Sequence, residues 1–548
     1  MPQTLNQTPS LLQKTSVQVV LLFILIYATF FQNLQAIEPS LMEARNFITV
    51  REMTQHGNWL IPTLNGEPRL AKPPLPTWLT AISVLATGDL YNLGALRFPA
   101  VLISGLAVYF LYLLTRQLTT DRLLPFLAGA VLATSFSFFN IGRQGTWDIY
   151  CHAFMMGSIW LLVKGMQANS KAFGCFVGSG ILLGCSFLSK GPVAFYALLL
   201  PFLLSYGYGY GATAFKKHWF GILLAFFICM VISLAWPMYV YLQEPAKLAT
   251  NITNESTAWV NRHVKPFWFY LSFPWQAGIW AIFVVAALIS PYARQRIAPY
   301  GNYRFFSSWI FIGLFLLSVI PEKKERYLLP LLLPMALITA YYIRFLLDAF
   351  NRRNTTRADR FVFRVNGILF ILIALGLPIL LYQKAFAKHS INLNVFVVSS
   401  IFYLVLGICF LIAVKKRNFG LFLIGAIGVH ILTIFILLPN YQNMLYPVNN
   451  YVGLDKVRAQ KNLDKLPFYA LHEISPEHIW EIGKKVDTIT VVNQKLKLPT
   501  TFPLALFSRD SLSAAMLPEY NLRLKPLAQY QYDRRHPERV YYLYLISR

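Results

Sequence analysis

The sequence predicts a polytopic α-helical membrane protein of about thirteen spans that carries a small α/β domain at its C-terminal end. Three observations lead there. Of 548 residues, 56% are hydrophobic and only 13% are charged, too few polar side chains to clothe a water-soluble protein of this size. The apolar residues gather in runs long enough to cross a hydrocarbon layer of about 30 Å. From Asn440 onward the long runs stop and the chain turns polar.

The first run, Val19 to Leu34, follows a polar N-terminus and has no small-residue cleavage site after it, so a retained helix is expected. Twelve more lie near 95–115, 123–141, 149–168, 172–189, 193–212, 219–241, 275–292, 304–320, 327–347, 362–382, 395–414 and 419–438. The N-terminus and the loops after even-numbered spans hold Lys14, Arg116, Arg122, Lys164, Lys171, Lys216, Lys217, Arg294, Arg296, the NRRNTTRADR run 351–360 and KKR 415–417. The positive-inside rule makes these cytoplasmic, and an odd span count puts the C-terminal part on the opposite face. The expected division is a membrane domain over 1–439, with an outward loop 36–94 bearing interfacial helices, and an outer α/β domain over 440–548. In that domain FYALH 468–472, FPLALFS 502–508 and RVYYLYLIS 539–547 read as strands, and PEHIWEIGKKV 476–486 as a helix.

Five cysteines, Cys151, Cys175, Cys185, Cys229 and Cys409, all fall inside apolar runs, which suggests neither a disulfide framework nor a cysteine-based zinc site. The formal charge of +26 is spread over inter-span loops and does not gather in a basic domain, which argues against nucleic acid and for anionic lipid or phosphate as partner. Walker loops, G-x-G-x-x-G, H-E-x-x-H and G-x-S-x-G are all missing, so an activated donor would have to arrive as a membrane-borne phosphate.

The outward loops should be poor in Lys and Arg, yet several are rich in them. The first holds Glu38, Glu43, Arg45, Arg51, Glu52, Arg69 and Lys72, and its LMEARNFITVREM segment mixes charge with Leu41, Ile48 and Val50 as an interfacial helix would. Others hold Arg143 with Asp148, Lys190 before Gly191, Arg262 with His263 and Lys265, and Lys323, Lys324 and Arg326. Taken singly, such cations could snorkel to lipid headgroups, Glu43 could pair with Arg45 or Arg51, and Asp148 could cap a helix. Together, and accompanied by carboxylates and stiffening prolines, they suit a site that holds a phosphate and moves a proton. The sequons NIT 251 and NES 254 are common by chance and carry no weight.

Six pieces in order resemble the GT-C membrane glycosyltransferases that use polyprenyl-phosphate sugars, especially the bacterial lipid A aminoarabinose transferases and their protein-mannosyltransferase-like relatives. They are EARNFITVREMTQHGNWLIPTLNG 43–66, RLAKPPLPTW 69–78, GRQGTWDIY 142–150, LSKGPVA 188–194, RHVKPFWFYL 262–271 and KKERYLLPLLLP 323–334. The resemblance implies a GT-C fold, with Lys72 on the donor's phosphate, Arg45 lining the same cavity and Asp148 an essential acid beside it. It places Arg69, Arg143, Lys190, Arg262, His263, Lys324, Arg326 and Tyr327 around the cavity as substrate contacts. Met42 and Ala71 stand where the family has acidic residues. The general base is therefore left between Glu43, Glu38 and Asp148. One carboxylate ligand of any divalent metal is missing, and no cofactor is called for, although a metal stays open.

The function expected is transfer of a sugar from a polyprenyl-phosphate donor to a lipid A-like or protein acceptor on the outer face of a bacterial inner membrane. The partners expected are that donor, the acceptor and membrane lipids. A transporter or flippase of phosphate-linked lipids is the alternative. It should carry charge near mid-membrane, whereas here the charges crowd one face.

Overall fold

A computed structural model describes residues 14–168, 172–446, 451–518 and 521–548, so Lys171 lies outside the described residues. All thirteen apolar runs fall on helical segments. The chain begins with α1 (Thr15–Phe30), α2 (Leu41–His56), α3 (Leu75–Thr87), α4 (Leu93–Leu118), α5 (Leu124–Ala133), α6 (Phe136–Gly142), α7 (Trp147–Gln167) and α8 (Phe173–Lys190). It continues with α9 (Leu200–Tyr210), α10 (Thr213–Lys217), α11 (Trp219–Gln243), α12 (Pro245–Asn261), α13 (Ala281–Leu288), α14 (Ser290–Ile297), α15 (Tyr303–Val319), α16 (Leu329–Asn351), α17 (Arg357–Leu381), α18 (Leu393–Lys416) and α19 (Phe419–Leu445).

Among the described residues nine helical stretches are long and apolar enough to cross a membrane, and ten if α5 and α6 count as one span. Thirteen spans are therefore not established, because α1 and α15 are apolar but short and the run at 193–212 folds as a π-helical turn, Phe195–Leu199, followed by the 11-residue α9. The α5–α6 pair is bent by 65°. At the break Thr134 Oγ1 donates to the Ala130 carbonyl and Ser135 Oγ to that of Val131, each at 2.7 Å. Such side-chain bonds compete with the helix ladder and bend it.

Burial ranks the helices. The most apolar window of the stretch containing α16 is 89% buried inside the protein and that of α7 is 78%, against 22% for α11 and α18. Helices α7 and α16 therefore form the centre of the bundle, and α11 and α18 turn long exposed apolar faces outward, as lipid-facing helices do.

Two devices rigidify the segment between α1 and α4. Ser40 and Glu43 form a reciprocal capping box at the start of α2, and Gly57, at φ 75°, closes its end. Strands β1 (Thr63–Leu64) and β2 (Glu67–Pro68) then pair around Asn65 and Gly66, both at positive φ as a tight hairpin turn demands. Helix α2 is not laid open on a membrane surface as its composition suggested. Ten of its residues, Glu43 and Arg51 among them, are buried between α3 and the C-terminal region, where Phe47 meets Trp480 with ring centroids 5.4 Å apart.

The polar region contains β3 (Phe468–Ala470), helix α20 (Pro476–Ile482), β4 (Val486–Thr488), the hairpin of β5 (Val491–Val492) and β6 (Lys495–Leu496), β7 (Leu504–Ser508), β8 (Arg523–Gln531) and β9 (Val540–Ser547). Its five-stranded sheet has the order β4-β3-β7-β9-β8, parallel across β4-β3-β7 and antiparallel beyond. The three strand segments and the helix read from the sequence are all present. β8 escaped notice because its charges and Pro526 mask the alternation, and the sheet absorbs that proline with a register shift between Pro526 and Ala528.

Candidate functional site: a cation cluster at the ends of the central helices

The segment RLAKPPLPTW leaves the β1–β2 hairpin and enters α3 through Pro74. Its prolines fix φ and keep the turn stiff, and the Arg69 amide donates to the Pro62 carbonyl at 2.7 Å. The Arg69 guanidinium lies over the Trp147 ring, 4.4 Å from its centroid, and donates to the Arg45 carbonyl and to Thr49 Oγ1. Burial, then repulsion from Arg45, pushes its pKa down to about 9. Lys72 pairs with Glu255 of α12 at 3.4 Å and keeps 23% of its side chain exposed. Its pKa is also lowered, by burial first and then by Lys190 and Arg69, with Glu255 opposing. Lys72 is thus a cation held among cations, with the partly exposed Glu255 carboxylate as its counter-charge.

Asp148 sits in the first turn of α7, where the helix dipole favours a negative charge. Lys190, in the last turn of α8, donates to Asp148 Oδ1. The chain leaves Lys190 through Gly191 at φ 73° and ψ −152°, a conformation closed to side chains with a Cβ. Arg326 approaches Asp148 Oδ2 at 3.8 Å and donates to Gln144 Oε1 at 3.3 Å. The Lys190 ammonium also stands 5.0 Å from the Tyr327 ring centroid.

Glu322 extends the group, pairing with Arg262 at 3.2 Å and Lys324 at 2.9 Å. Its own burial would raise its pKa, but Lys324 and Arg262 outweigh this and hold it below the usual carboxylate range. A bridge between Val264 and Glu322 zips these two loops together. His263, at φ 52°, enters through its backbone carbonyl, which accepts from the Lys323 amide at 3.2 Å.

Arg45, Arg69, Lys72, Lys190, Arg262, Lys324 and Arg326 therefore form a connected group of seven cations facing three carboxylates, Asp148, Glu255 and Glu322. All stand at the same ends of the central helices. The arrangement is a standing positive field, able to take up an anion and to stabilise one that develops during a reaction.

Two expected site residues lie elsewhere. Glu43 is 2% exposed and forms a two-point pair with Arg97, at 2.7 and 3.1 Å, while accepting from the Gly145 and Ser40 amides at 3.1 Å each. Its oxygens are spent on tying α2, α4 and the loop before α7 together. That is the setting of a clamp, and it does not suit the general base expected there; nor is its partner Arg45 or Arg51. Arg143 donates to the Thr29, Phe30 and Gln32 carbonyls and so fastens the end of α1, which removes it from the substrate contacts. Glu38, the other base candidate, pairs at 2.6 Å with Arg534 of the C-terminal region.

Sequence reasoning missed Glu255, Glu322, Arg97 and Gln144. Glu255 stood in the discounted NES triplet of a loop that folds as α12, and Arg97 stood inside an apolar run. Glu322 alone carried a signal, since it adjoins the Lys323–Arg326 cluster. Among the described residues no group of three or more His, Cys, Asp or Glu side chains converges to hold a metal ion.

The model of the dolichyl-phosphate-mannose-protein mannosyltransferase family matches residues 71–236, the stretch that holds Lys72, Asp148 and Lys190. An undecaprenyl phosphate-alpha-4-amino-4-deoxy-L-arabinose arabinosyl transferase of Pseudomonas fluorescens is 26% identical over 370 residues, 65% of this chain and 62% of the relative. A second, from Proteus mirabilis, is 25% identical over 392 residues, 68% of this chain and 66% of the relative. The matches span between about half and two thirds of the length of the curated relatives. The crystal structure of ArnT from Cupriavidus metallidurans bound to undecaprenyl phosphate superposes with a TM-score of 0.70 at 14% identity, covering 97% of this chain and 98% of that one. That likeness extends through membrane helices and C-terminal sheet alike and fixes the fold.

Proposed function

We propose that this multi-pass membrane protein, which has the fold of the GT-C glycosyltransferases, transfers a sugar from a polyprenyl-phosphate carrier to an acceptor presented at the outer face of the membrane. The reading is carried by one observation, the seven-cation group that includes Lys72, which among the described residues pairs with Glu255 alone. A lipid phosphate that displaced Glu255 would meet Lys72, Arg69 and Arg45. As the bond between the sugar's anomeric carbon and the phosphate oxygen breaks, the electron pair leaves with the lipid phosphate, and these cations take up the charge. The acceptor oxygen forms the new bond from the opposite side, with inversion. Asp148, held between Lys190 and Arg326, would orient those two cations toward the departing phosphate.

The carboxylates of the site are each matched to a cation, which leaves little free basicity for deprotonating a hydroxyl. A phosphate acceptor brings an oxygen that is already ionised, so a phosphorylated lipid of the lipid A class is the acceptor favoured, with a protein hydroxyl second. The names of the arabinosyl transferase relatives support an aminopentose donor. We further propose that residues 1–439 act as the catalytic membrane part and 440–548 as an outer domain. In a bacterium that domain would face the periplasm from the inner membrane.

The test is transfer in proteoliposomes. Labelled undecaprenyl-phosphate aminoarabinose should yield labelled lipid A and no labelled peptide. Labelled peptide in its place would move the protein to the mannosyltransferase-like class. Uptake of the donor lipid across the bilayer with neither product would favour a flippase.

A further inference from the structure

A second concentration of positive charge lies away from the Lys72 group, at the seam between the end of α2 and the C-terminal domain. It lines an open cavity of about 410 Å³, large enough for a phosphate with part of the group that carries it. Arg51 forms its inner wall and is 2% exposed. A guanidinium presents five donors, and this one reaches the Ile479 carbonyl at 3.5 Å, interacts with the Tyr91 hydroxyl and stands 3.9 Å from Glu52. Glu52 turns its Oε2 to the hairpin, accepting from Thr63 Oγ1 at 2.6 Å and the Gly66 amide at 3.1 Å, and leaves Oε1 toward Arg51 without a hydrogen bond.

The facing residue is Arg458, flat against the Tyr91 ring at 4.1 Å and close enough to repel Arg51. Among the described residues Arg458 makes no ion pair. Burial and this neighbour lower the pKa of Arg51, with Tyr91 and Glu52 opposing. Two arginines that repel one another in a partly dry cleft are an unfavourable arrangement unless an anion joins them.

The backbone keeps the cleft open. Gly483 lies at φ 82°, and a Cβ there would come within 2.7 Å of Arg458 Cδ and of Tyr91 Oη. Gly66, at φ 83°, would bring a Cβ to 2.8 Å from Lys485 Cε. The other lysines are already engaged, Lys484 with the Leu463 and Asp464 carbonyls and Lys485 with Asp487 at 2.9 Å. The two arginines are the open donors.

We infer that Arg51 and Arg458 form a phosphate-binding subsite at this seam, separate from the transfer cluster and built to take a phosphomonoester between two planar forks. The phosphate belongs either to a lipid headgroup or to a free phosphorylated molecule, and both present the same chemistry. The inference stands without the transfer reading, because the two sites share no residue.

The probes are inorganic phosphate and glycerol 3-phosphate, titrated into the full chain in phosphatidylcholine nanodiscs. The background is Lys72→Ala, which weakens the other anion site. Saturable binding is expected, with Arg458→Gln raising Kd at least about tenfold and Lys485→Gln leaving it nearly unchanged. Exchanging the lipid for phosphatidic acid separates the sources. Loss of phosphate binding through competition means that the headgroup occupies the seam, and undiminished binding means that a free phosphate does. Either outcome supports the site. Phosphate affinity left within about twofold by both Arg458→Gln and Arg51→Gln, or no saturable binding of either probe in phosphatidylcholine, would overturn it. Should Arg51→Gln fail to fold, the half-buried Arg458 decides alone.

Discussion

Glu43→Gln separates a clamp from a catalytic base. The substitution keeps the shape of the side chain and removes its charge. The Gln oxygen can stay at the Oε1 position, where Arg97 Nε and the Gly145 amide both donate, but its amide nitrogen replaces the oxygen that accepts from Arg97 Nη2 at 3.1 Å. Arg97, 4% exposed at its side chain, thus loses its counter-charge and one bond while keeping those to the Leu34 and Ile37 carbonyls. Leaving one member of a buried pair uncompensated costs about 3–5 kcal/mol. The two retained carbonyl bonds and the Gln oxygen still facing Gly145 put the expectation at the lower end, about 3 kcal/mol. Equilibrium denaturation in mixed micelles reads the loss directly, and a cycle with Arg97→Met should return a coupling energy of about 2 kcal/mol or more. The folded fraction should transfer sugar at close to the wild-type rate. The clamp reading fails if Glu43→Gln is within about 0.5 kcal/mol of wild type and yet loses transfer by about a hundredfold or more, for that is how a base behaves.

Three further outcomes are expected. On the proposed role, Lys72 meets the phosphate as a cation, so the transfer rate should fall as pH rises through a pKa below that of an ordinary lysine. Glu255→Gln, by removing the interaction that raises this pKa, should move the alkaline limb to still lower pH, and an unmoved limb in the pH–rate profile would count against Lys72. Gly145→Ala would push a Cβ to 2.6 Å from Phe47 Cε1, costing about 1–3 kcal/mol and disturbing the loop that leads to Asp148, which melting and transfer rate together detect. Burial, then Glu38 and Asp455, lifts the Glu481 pKa from 4.5 to about 8. Its contribution to stability is therefore full below about 4.5 and lost as pH rises through about 8, because the unfolded state releases its proton first. Melting across that range should show the decline, and Glu481→Gln should flatten it.

The membrane part was legible because hydropathy reports burial and lipid exposure alike, one run at a time. The same averaging hid Arg97, a lone charge in an apolar run whose partner lies 54 positions away. It also hid the α5–α6 bend, made by two hydroxyl groups, Thr134 and Ser135, that hydropathy does not register. Lys72, Asp148 and Lys190 stood out in the sequence because they are charges just outside apolar runs, and the structure brings them together at the ends of α3, α7 and α8. Their carboxylate partners were harder to see, since pairing Lys72 with Glu255 is a fact of packing between α12 and the outward loop. The contacts of Glu43 were hidden for the same reason. Its charge and motif position were visible, but nothing in the linear order revealed Arg97 and Gly145 closing on it.

The most direct test of the central claim is the steady-state transfer rate from labelled undecaprenyl-phosphate sugar, wild type against Lys72→Ala, with correct folding verified. Loss of the cation that meets the departing phosphate should lower kcat by about a hundredfold to a thousandfold. Full turnover by a folded Lys72→Ala protein would contradict the account.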